Sequence, residues 1–253
     1  MKMTELTLIS ERETAEYTTQ SSPLLLPSIV VLIPSLNEAG SIGDVLKEVQ
    51  ANLSKESEII VVDNSTDDTP IVAAGHGARV LTQAGQGKGD ALRLGFANSG
   101  KSDIILMMDA DGSMRAEEIP ILIRALETEG VDVAKGSRFL SGGGSTDLSR
   151  IRRIGNKLFI SMVNFFWHGQ YTDLCYGFIA FKAEALKKLA PLLESEHFQI
   201  ETEICIKARK LGLNVVEVPS LELRRKHGIS KLNGIRDSVR IMSVIIEELF
   251  SGI

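Results

Sequence analysis

Two aspartates that directly follow an apolar run are the residues of this chain best suited to metal binding or catalysis. Asp109-Ala110-Asp111 comes after the apolar residues 104–108, and Gly112 then indicates a turn. Mg²⁺ and Mn²⁺ prefer oxygen ligands, and Mg²⁺ usually binds through one or two carboxylates together with substrate phosphates. We therefore predict a Mg²⁺ or Mn²⁺ site at Asp109 and Asp111, completed by a diphosphate. A plain Asp-x-Asp-Gly turn is the alternative.

A glycine-rich loop offers a second group of ligands for a diphosphate. Gly85-Gln86-Gly87-Lys88-Gly89 precedes a predicted helix. Unhindered main-chain N–H groups, the positive end of the helix and the Lys88 ammonium can all meet a pyrophosphate. The spacing differs from that of a Walker A loop. A purely structural turn is the alternative for this loop as well.

Polar residues also follow two other predicted strands. Pro34-Ser35-Leu36-Asn37-Glu38 ends the first strand, and Asp63-Asn64-Ser65 ends the second. Ser65 or Asp67 could cap the next helix, which would leave Asp63 to bind a base or ribose. In open α/β sheets, ligands bind beyond the carboxyl ends of the strands. These segments and the aspartate pair are therefore predicted to converge at one edge of a sheet.

The elements that must position these residues are predicted from hydrophobic periodicity. Apolar, β-branched runs alternate with helix-compatible stretches, and near-continuous apolar runs are typical of strands buried on both faces. Strands are predicted at residues 28–33, 58–62, 78–81, 103–108, 131–134 and 214–218, and later helices at 148–166, 199–211 and 235–250. The pattern predicts an α/β fold with a Rossmann-like, mostly parallel central sheet flanked by helices.

Composition is consistent with one globular domain. Of the 253 residues, 43% are hydrophobic and 24% are charged, which is enough apolar material for a substantial core. We predict a flexible N-terminal extension (1–26), a single α/β domain (27–233) and a C-terminal amphipathic helix (234–253). The net charge of -5 argues against a nucleic-acid partner, because such proteins need a positive surface.

Several features predict a cytoplasmic protein. The two cysteines, Cys175 and Cys205, stand far apart in apolar runs, which fits a reducing compartment. Residues 1–22 lack the apolar core of a signal peptide. The apolar stretches are interrupted well before the roughly 18 to 20 residues needed to cross a bilayer.

Two basic clusters indicate anionic ligands or an anionic surface. One contains Arg150, Arg152, Arg153 and Lys157, and the other contains Arg224, Arg225, Lys226, Lys231, Arg236 and Arg240. An aromatic stripe lies beside the first cluster: Phe159, Met162, Phe165, Phe166 and Trp167. Such a stripe is more often core than membrane contact, but its basic neighbours leave a peripheral contact with the cytoplasmic face of the membrane open.

A second apolar stripe near the C-terminus leaves a homo-oligomer open. Its residues are Ile235, Val239, Met242, Ile246 and Leu249. They recur at helical spacing, so they could pack on the domain itself or on a second copy of the chain.

The order of the motifs resembles that of family 2 glycosyltransferases, which have the GT-A fold, over about residues 29–231. The resemblance implies a metal-bound diphosphate at Asp109-Ala110-Asp111. The implied nucleoside ligands are Pro34, Leu36, Glu38 and Asp63. Many members of that family have two successive aspartates where this chain has Asp63-Asn64. Either residue of this pair could therefore contact the base.

Later motifs are similar to those of the dolichol-phosphate mannosyltransferase-like branch of that family. They are Lys135-Gly-Ser-Arg138-Phe139, the segment from Asp173 to Phe178, Phe198-Gln-Ile-Glu201, and Arg225-Lys-His-Gly-Ile-Ser230-Lys231. The likeness implies that Arg225, Ser230 and Lys231 face phosphates of the donor or acceptor, and that Arg138 faces the acceptor. It implies a donor of the GDP-mannose or UDP-glucose type and a polyprenyl phosphate acceptor, dolichyl or undecaprenyl.

The resemblance predicts an inverting transfer in which a metal ion, Lys88 and Arg225 neutralise the departing diphosphate. A phosphate acceptor is already anionic and needs no general base. A soluble or cell-envelope hydroxyl acceptor would need one, and Glu201 or Asp173 are the candidates, with Glu203 third. Either acid could instead orient arginines.

Two other classes of protein remain as alternatives. A nucleotide-sugar-binding module without turnover would use the same pocket. A nucleotidyltransferase is disfavoured, because such enzymes place a glycine-rich loop where this chain has residues 34–38.

Overall fold

Strands and helices alternate along residues 27–228 and 233–252, which are the residues that the computed structural model describes. The predicted extension (1–26) and the predicted phosphate ligands Ser230 and Lys231 lie outside these ranges. The strands are β1 (Ile29–Ser35), β2 (Glu58–Asp63), β3 (Arg79–Thr82), β4 (Ile104–Met107), β5 (Val133–Ser137), β6 (Gly144–Ser145), β7 (Ile179–Lys182), β8 (Val215–Pro219) and β9 (Leu221–Glu222). The helices are α1 (Ile42–Ala51), α2 (Thr69–Gly75), α3 (Lys88–Ala97), α4 (Ile119–Glu127), α5 (Arg150–Trp167), α6 (Ala183–Leu189), α7 (Ile200–Lys210) and α8 (Gly234–Phe250).

Seven strands form the central sheet in the order β3-β2-β1-β4-β7-β5-β8. All neighbouring pairs are parallel except those of β7, which runs antiparallel to both β4 and β5. The predicted mostly parallel α/β fold is therefore confirmed. Strands β6 and β9 form a separate parallel pair, which joins the loop after β5 to the chain after β8.

Side chains of the central strands point alternately to the two faces of the sheet and pack into two hydrophobic cores, one on each face. In β1, Val31 and Ile33 pack into the cluster that includes residues of α1 and α4. Val30 and Leu32 point the other way, into the cluster that includes residues of α3, α6 and α7. Burial on both faces explains why these strands are apolar at every position.

A third cluster joins α5, α7 and α8 beside the sheet. Phe159 and Val163 of α5 pack there against Ile206 of α7 and against Ile241 and Ile245 of α8. The exposed faces of α5 and α8 are unusually apolar. The large exposed side chains on them are Ile151, Ile154, Leu158, Phe165 and Phe166 on α5, and Ile235, Val239, Ile246, Leu249 and Phe250 on α8.

Neither of the two predicted apolar stripes lies wholly in the core. Of the aromatic stripe, Phe159 is buried but Phe165 and Phe166 face solvent. Of the terminal stripe, Met242 packs against the third cluster beside Ile241 and Ile245, whereas Ile235, Val239, Ile246 and Leu249 are exposed. No helix in the described part of the chain combines the length and apolar character required to span a membrane.

Candidate active site

The ends of β1 and β2 meet side by side and hold each other through Asp63. In the parallel register of these strands Ser35 pairs with Asp63. The Asp63 carboxylate is buried and accepts the Ser35 hydroxyl at 2.6 Å, the Ser65 hydroxyl at 2.6 Å and the Ser65 N–H at 2.9 Å. Asp63 was expected to stay free for a base or ribose. Instead its carboxylate organises the loop, as Asx turns do.

The loop after β1 is locked onto the loop after β2. Asn37 adopts a left-handed conformation, with φ of 52°, and its amide oxygen accepts the Thr66 N–H at 2.8 Å. The Asn37 N–H donates to the Ser65 hydroxyl at 2.6 Å, and the Glu38 N–H donates to the Thr69 hydroxyl at 2.9 Å. Leu36 is left exposed at this edge. The predicted nucleoside segment is thus a preformed surface.

Asn64 connects this surface to the glycine-rich loop, because its amide donates to the carbonyl of Gly85 at 3.1 Å. The loop itself packs on the chain before α7. The Asp90 N–H donates to the carbonyl of Glu196 at 3.1 Å, and a Cβ on Gly87 would collide with His197. Since Gly87 also has φ of 93°, only glycine suits this position. Lys88 is thereby delivered to the sheet edge at the first position of α3.

Asp109 and Asp111 lie just beyond β4, and each faces a cation. Nζ of Lys88 lies 2.5 Å from Oδ1 of Asp109, and Nη2 of Arg225 lies 3.0 Å from Oδ2 of Asp111. The second oxygen of Asp111 accepts the Ser113 N–H at 2.9 Å, which closes the turn. Ala110 between them is buried in the first core cluster. Two carboxylates and two cations from distant segments therefore meet at this point.

Lys88 is shared between two acids. Its Nζ also lies 2.6 Å from Oε1 of Glu201 on α7, and the side chains of Lys88 and Glu201 are only 8% and 7% exposed. Burial by itself would lower the pKa of Lys88, but Asp109 and Glu201 outweigh it, and the pKa lies above its usual value. Gly177 makes room for the pair. Lys88 is therefore a permanently charged residue at the sheet edge.

Arg138 and Asp173 form a buried ion pair at the end of β5. The side chains are 5% and 0% exposed, and Nε of Arg138 lies 2.7 Å from Oδ2 of Asp173. Arg138 donates five side-chain hydrogen bonds, to Asp173, Glu222 and the carbonyl of Cys175, which equals its number of N–H groups. Arg138 thus organises the interior around it, whereas the sequence suggested a ligand of the acceptor.

The three predicted acids are all engaged by protein groups. Burial would raise the pKa of Asp173, but Lys135, Arg138 and Asn156 outweigh it and hold the pKa below its usual value. Glu201 is paired with Lys88. Glu203 is buried, pairs with Lys207 at 2.7 Å and accepts the N–H groups of residues 194 and 195. Each of these carboxylates is therefore already paired with a cation of the protein.

Glu118 was not singled out by any sequence motif, and the contacts of Glu222 and Lys226 were not predicted. Glu118 accepts the Ser220 hydroxyl at 2.5 Å and the Leu221 N–H at 3.1 Å, and Glu222 accepts from Arg138. The N–H of Lys226 donates to the carbonyl of Asp111 at 3.1 Å. These contacts lay the chain after β8 along the turn that carries the aspartate pair. The signal was hard to see, because a single glutamate in a charged segment has no distinctive spacing.

The residues present suit a divalent cation that arrives with a substrate. Within residues 27–228 and 233–252, no three acidic, histidine or cysteine side chains are grouped to hold an ion. Asp109 and Asp111 provide hard oxygen donors at one turn, and Mg²⁺ is commonly held by two carboxylates plus substrate phosphates and water. The donor set therefore fits Mg²⁺ or Mn²⁺ bound to a diphosphate.

Comparison with known proteins identifies the class. Residues 30–190 match the family model of glycosyl transferase family 2. Glycosyltransferase AglJ of Haloferax volcanii is 32% identical over 226 residues, which are 88% of this chain and 71% of that protein. The dolichyl-phosphate hexose transferase of the same organism is 28% identical over 224 residues, which are 87% of this chain and 95% of that protein.

A solved structure shares the architecture. Glucosyl-3-phosphoglycerate synthase from Mycobacterium tuberculosis, crystallised with Mn²⁺, uridine diphosphate and glucosyl-3-phosphoglycerate, is similar with a TM-score of 0.72. The match covers 90% of this chain and 81% of that chain at 24% sequence identity. This similarity confirms the predicted GT-A fold.

The chain belongs to glycosyl transferase family 2, because the family match covers more than half of its length. It is a transferase enzyme, so the alternatives of a binding module and of a nucleotidyltransferase are set aside. The predicted resemblance to the polyprenyl-phosphate branch is confirmed by its relatives.

Proposed function

We propose that this enzyme transfers a hexose, with inversion, from a nucleoside-diphosphate sugar of the GDP-mannose or UDP-glucose type to a polyprenyl phosphate. The observation that carries this proposal is the meeting of Asp109 and Asp111 with Lys88 and Arg225 at the carboxyl edge of the sheet. Carboxylates with cations beside them suit a leaving group that is a metal-bound diphosphate.

The donor would lie across the ends of β1, β2 and β4. The interlocked loops after β1 and β2 would hold the nucleoside, with Pro34, Leu36 and Glu38 lining one side and Asp63-Asn64 the other. Because Asp63 is occupied by Ser35 and Ser65, Asn64 is the better candidate for direct contact with the base. A solved structure with the same fold was crystallised with uridine diphosphate, which supports a nucleotide donor.

Asp109 and Asp111 would hold Mg²⁺ or Mn²⁺, and the bound ion would supply positive charge beside the diphosphate. Lys88 stays protonated and Arg225 cannot lose its charge, so both residues can stabilise the negative charge that develops on the leaving group. Both are placed before the reaction begins, which avoids the cost of reorganising solvent.

A phosphate acceptor is supported by the pairing of all three predicted candidate bases with cations of the protein. Glu201, Asp173 and Glu203 each face a buried cation at 2.7 Å or less, and the pKa of Asp173 is lowered. A hydroxyl acceptor would need one of them to take a proton. A phosphate oxygen is already anionic and needs no base. The relative named dolichyl-phosphate hexose transferase supports the same choice.

Contact with a membrane surface fits a lipid acceptor. On α5, the exposed side chains Ile151 (82% exposed) and Ile154 (69% exposed) are accompanied by the exposed cations Arg150, Arg153 and Lys157. A helix with such a face can lie in the headgroup region of an anionic membrane. We place the enzyme in the cytoplasm, bound peripherally at the cytoplasmic face of the membrane. An oligomer through the exposed face of α8 is the competing use of that surface.

The test is a transfer assay with purified protein. GDP-mannose and UDP-glucose are each offered with undecaprenyl phosphate, dolichyl phosphate or 3-phosphoglycerate, with Mn²⁺, with Mg²⁺ or with EDTA. A glycolipid formed only with metal supports the proposal. Product on 3-phosphoglycerate alone would replace the lipid acceptor, and undiminished transfer in EDTA would remove the metal from the mechanism.

The membrane contact is tested by flotation with vesicles of phosphatidylglycerol or of phosphatidylcholine. The protein should float with the anionic vesicles, and the double variant Ile151→Glu/Ile154→Glu should not. Equal flotation of this variant and the wild type would contradict the assignment of α5.

A further inference from the structure

Glu222 is a partly buried acid that the proposed reaction does not use. It ends β9 and lies three positions before Arg225. Its carboxylate accepts Nη1 of Arg138 at 3.1 and 3.2 Å and also accepts the Ser145 hydroxyl. Its side chain is 14% exposed. It therefore connects the segment that bears Arg225 to a fixed point in the interior.

That fixed point is rigid because every donor of Arg138 is used. Asp173 holds Nε and Nη2 from one side, and the Tyr176 ring lies 4.8 Å below the guanidinium. Asp173 is itself held by Asn156 at 2.8 Å. A buried network of this kind has one low-energy arrangement, since any displacement leaves charged donors without partners.

The chain that follows Glu222 is also held at Leu223 and at Lys226, whose Nζ lies 2.6 Å from Oε1 of Glu48. Leu223 donates its N–H to the carbonyl of Ser113 at 2.8 Å, and Lys226 donates to the carbonyl of Asp111 at 3.1 Å. Between them, Arg225 reaches Asp111 through Nη2, while its buried Nε has no hydrogen-bond partner in the described part of the chain. The position of the Arg225 guanidinium is therefore set by its ion pair with Asp111 and by the main chain that carries it.

We propose that Glu222 is a positioning residue of the transfer reaction. By anchoring the end of β9 to Arg138 and Ser145, it fixes the path of the chain and holds Arg225 at the aspartate pair. This inference rests on the proposed function, because Arg225 serves there to stabilise the departing diphosphate. It predicts an effect on turnover that depends on Arg225.

The variant Glu222→Gln keeps the shape of the side chain and removes its charge. Misplacement of a positioned group by about 1 Å can cost about a hundredfold in rate, so we expect kcat to fall about ten- to a hundredfold. The donor KM should change less than about threefold, because the interaction develops mainly in the transition state.

The matched control is Glu248→Gln. Glu248 is a buried carboxylate that is likewise held by cations, Lys207 and Lys210, but it lies on α8 and none of its partners belongs to the aspartate pair. The Glu248→Gln variant should have a lower Tm than the wild type, while its kcat changes by less than about twofold. If the two variants lost kcat and Tm in the same proportion, Glu222 would be a purely structural residue and the inference would be overturned.

The double variant Glu222→Gln/Arg225→Ala gives the decisive comparison. If Glu222 acts through Arg225, adding Glu222→Gln to Arg225→Ala should change kcat by less than about twofold. Equal losses in both backgrounds would overturn the inference. If the wild type transferred no hexose, the proposed function would fail on its own, and the same non-additivity would then be sought in Mn²⁺-dependent affinity for UDP and GDP.

Discussion

Gly177 lies next to the Lys88–Glu201 ion pair, where one added methyl group tests how accurately that pair must be placed. A Cβ on Gly177 would lie 2.6 Å from Oε1 of Glu201 and 2.7 Å from Nζ of Lys88. Ordinary contact begins at 3.4 Å, so relief of both contacts in Gly177→Ala needs about 0.8 Å at the oxygen and about 0.7 Å at the nitrogen. Both atoms are buried, so neither can move freely.

The displacement should lower the rate of transfer, because Nζ of Lys88 also lies 2.5 Å from Oδ1 of Asp109. A shift of about 1 Å in a positioned group can cost about a hundredfold in rate. We therefore expect Gly177→Ala to lower kcat about ten- to a hundredfold, or about 1.4 to 2.7 kcal/mol in activation free energy. Overpacking should lower the free energy of unfolding by about 1 to 3 kcal/mol.

The assay measures steady-state transfer from the preferred donor, with urea unfolding of the same preparations. The control is Gly155→Ala on α5, where an added Cβ has no neighbour within 4 Å. This control should keep the wild-type kcat and gain up to about 1 kcal/mol in stability from helix propensity. If folded Gly177→Ala turned over like the wild type, accurate placement of Lys88 would not matter, and the role given to it would be wrong.

Three further predictions concern the acids and the interlocked loops. Asp173→Asn should lower the free energy of unfolding by about 3 to 5 kcal/mol at pH 7, because it leaves Arg138 buried without its main partner. The pKa of Asp173 is lowered, so its stabilisation is present above the unfolded pKa of about 3.9 and is lost as pH falls through the folded pKa. The free energies of unfolding of Asp173→Asn and of the wild type, measured with urea, should therefore converge only below about pH 4. A difference between them that stayed unchanged below about pH 4 would contradict the ion pair. Asn37→Ala should cost about 1 to 3 kcal/mol by calorimetry, from left-handed strain and lost bonds to Thr66, and a wild-type Tm would refute this. Asp111→Ala should weaken Mn²⁺-dependent binding of UDP or GDP at least about tenfold in a calorimetric titration, and retained binding would remove Asp111 from the metal site.

The strands that carry the site were predictable because their signal is local. A strand buried on both faces must be apolar at every position, and it ends where polar residues begin. Prediction placed β2 at residues 58–62 and the structure at Glu58–Asp63; β4 was expected at 103–108 and forms at Ile104–Met107. Because parallel strands share one carboxyl edge, their polar ends had to converge whatever the details of packing.

Strand β7 was missed for the opposite reason. It has four residues, Ile179–Lys182, and it is inserted antiparallel between β4 and β5. Pairing with strands that are distant in the sequence is a long-range property that no local pattern records. The small β6–β9 pair, which turns the chain toward Arg225, was missed on the same grounds.

The sequence by itself determined which residues can bind a metal ion or a phosphate and at which strand ends they lie. Only the tertiary structure decided their partners: Lys88 and Glu201 are 113 positions apart, and Arg138 is 84 positions from Glu222. The physical reason is that a buried charge is tolerated only beside its counterpart, and the fold as a whole chooses that counterpart. Packing pairs Asp173, a candidate base that could instead orient an arginine, with Arg138, the expected acceptor ligand, and it leaves Lys88, Arg225 and the two aspartates together at the edge of the sheet.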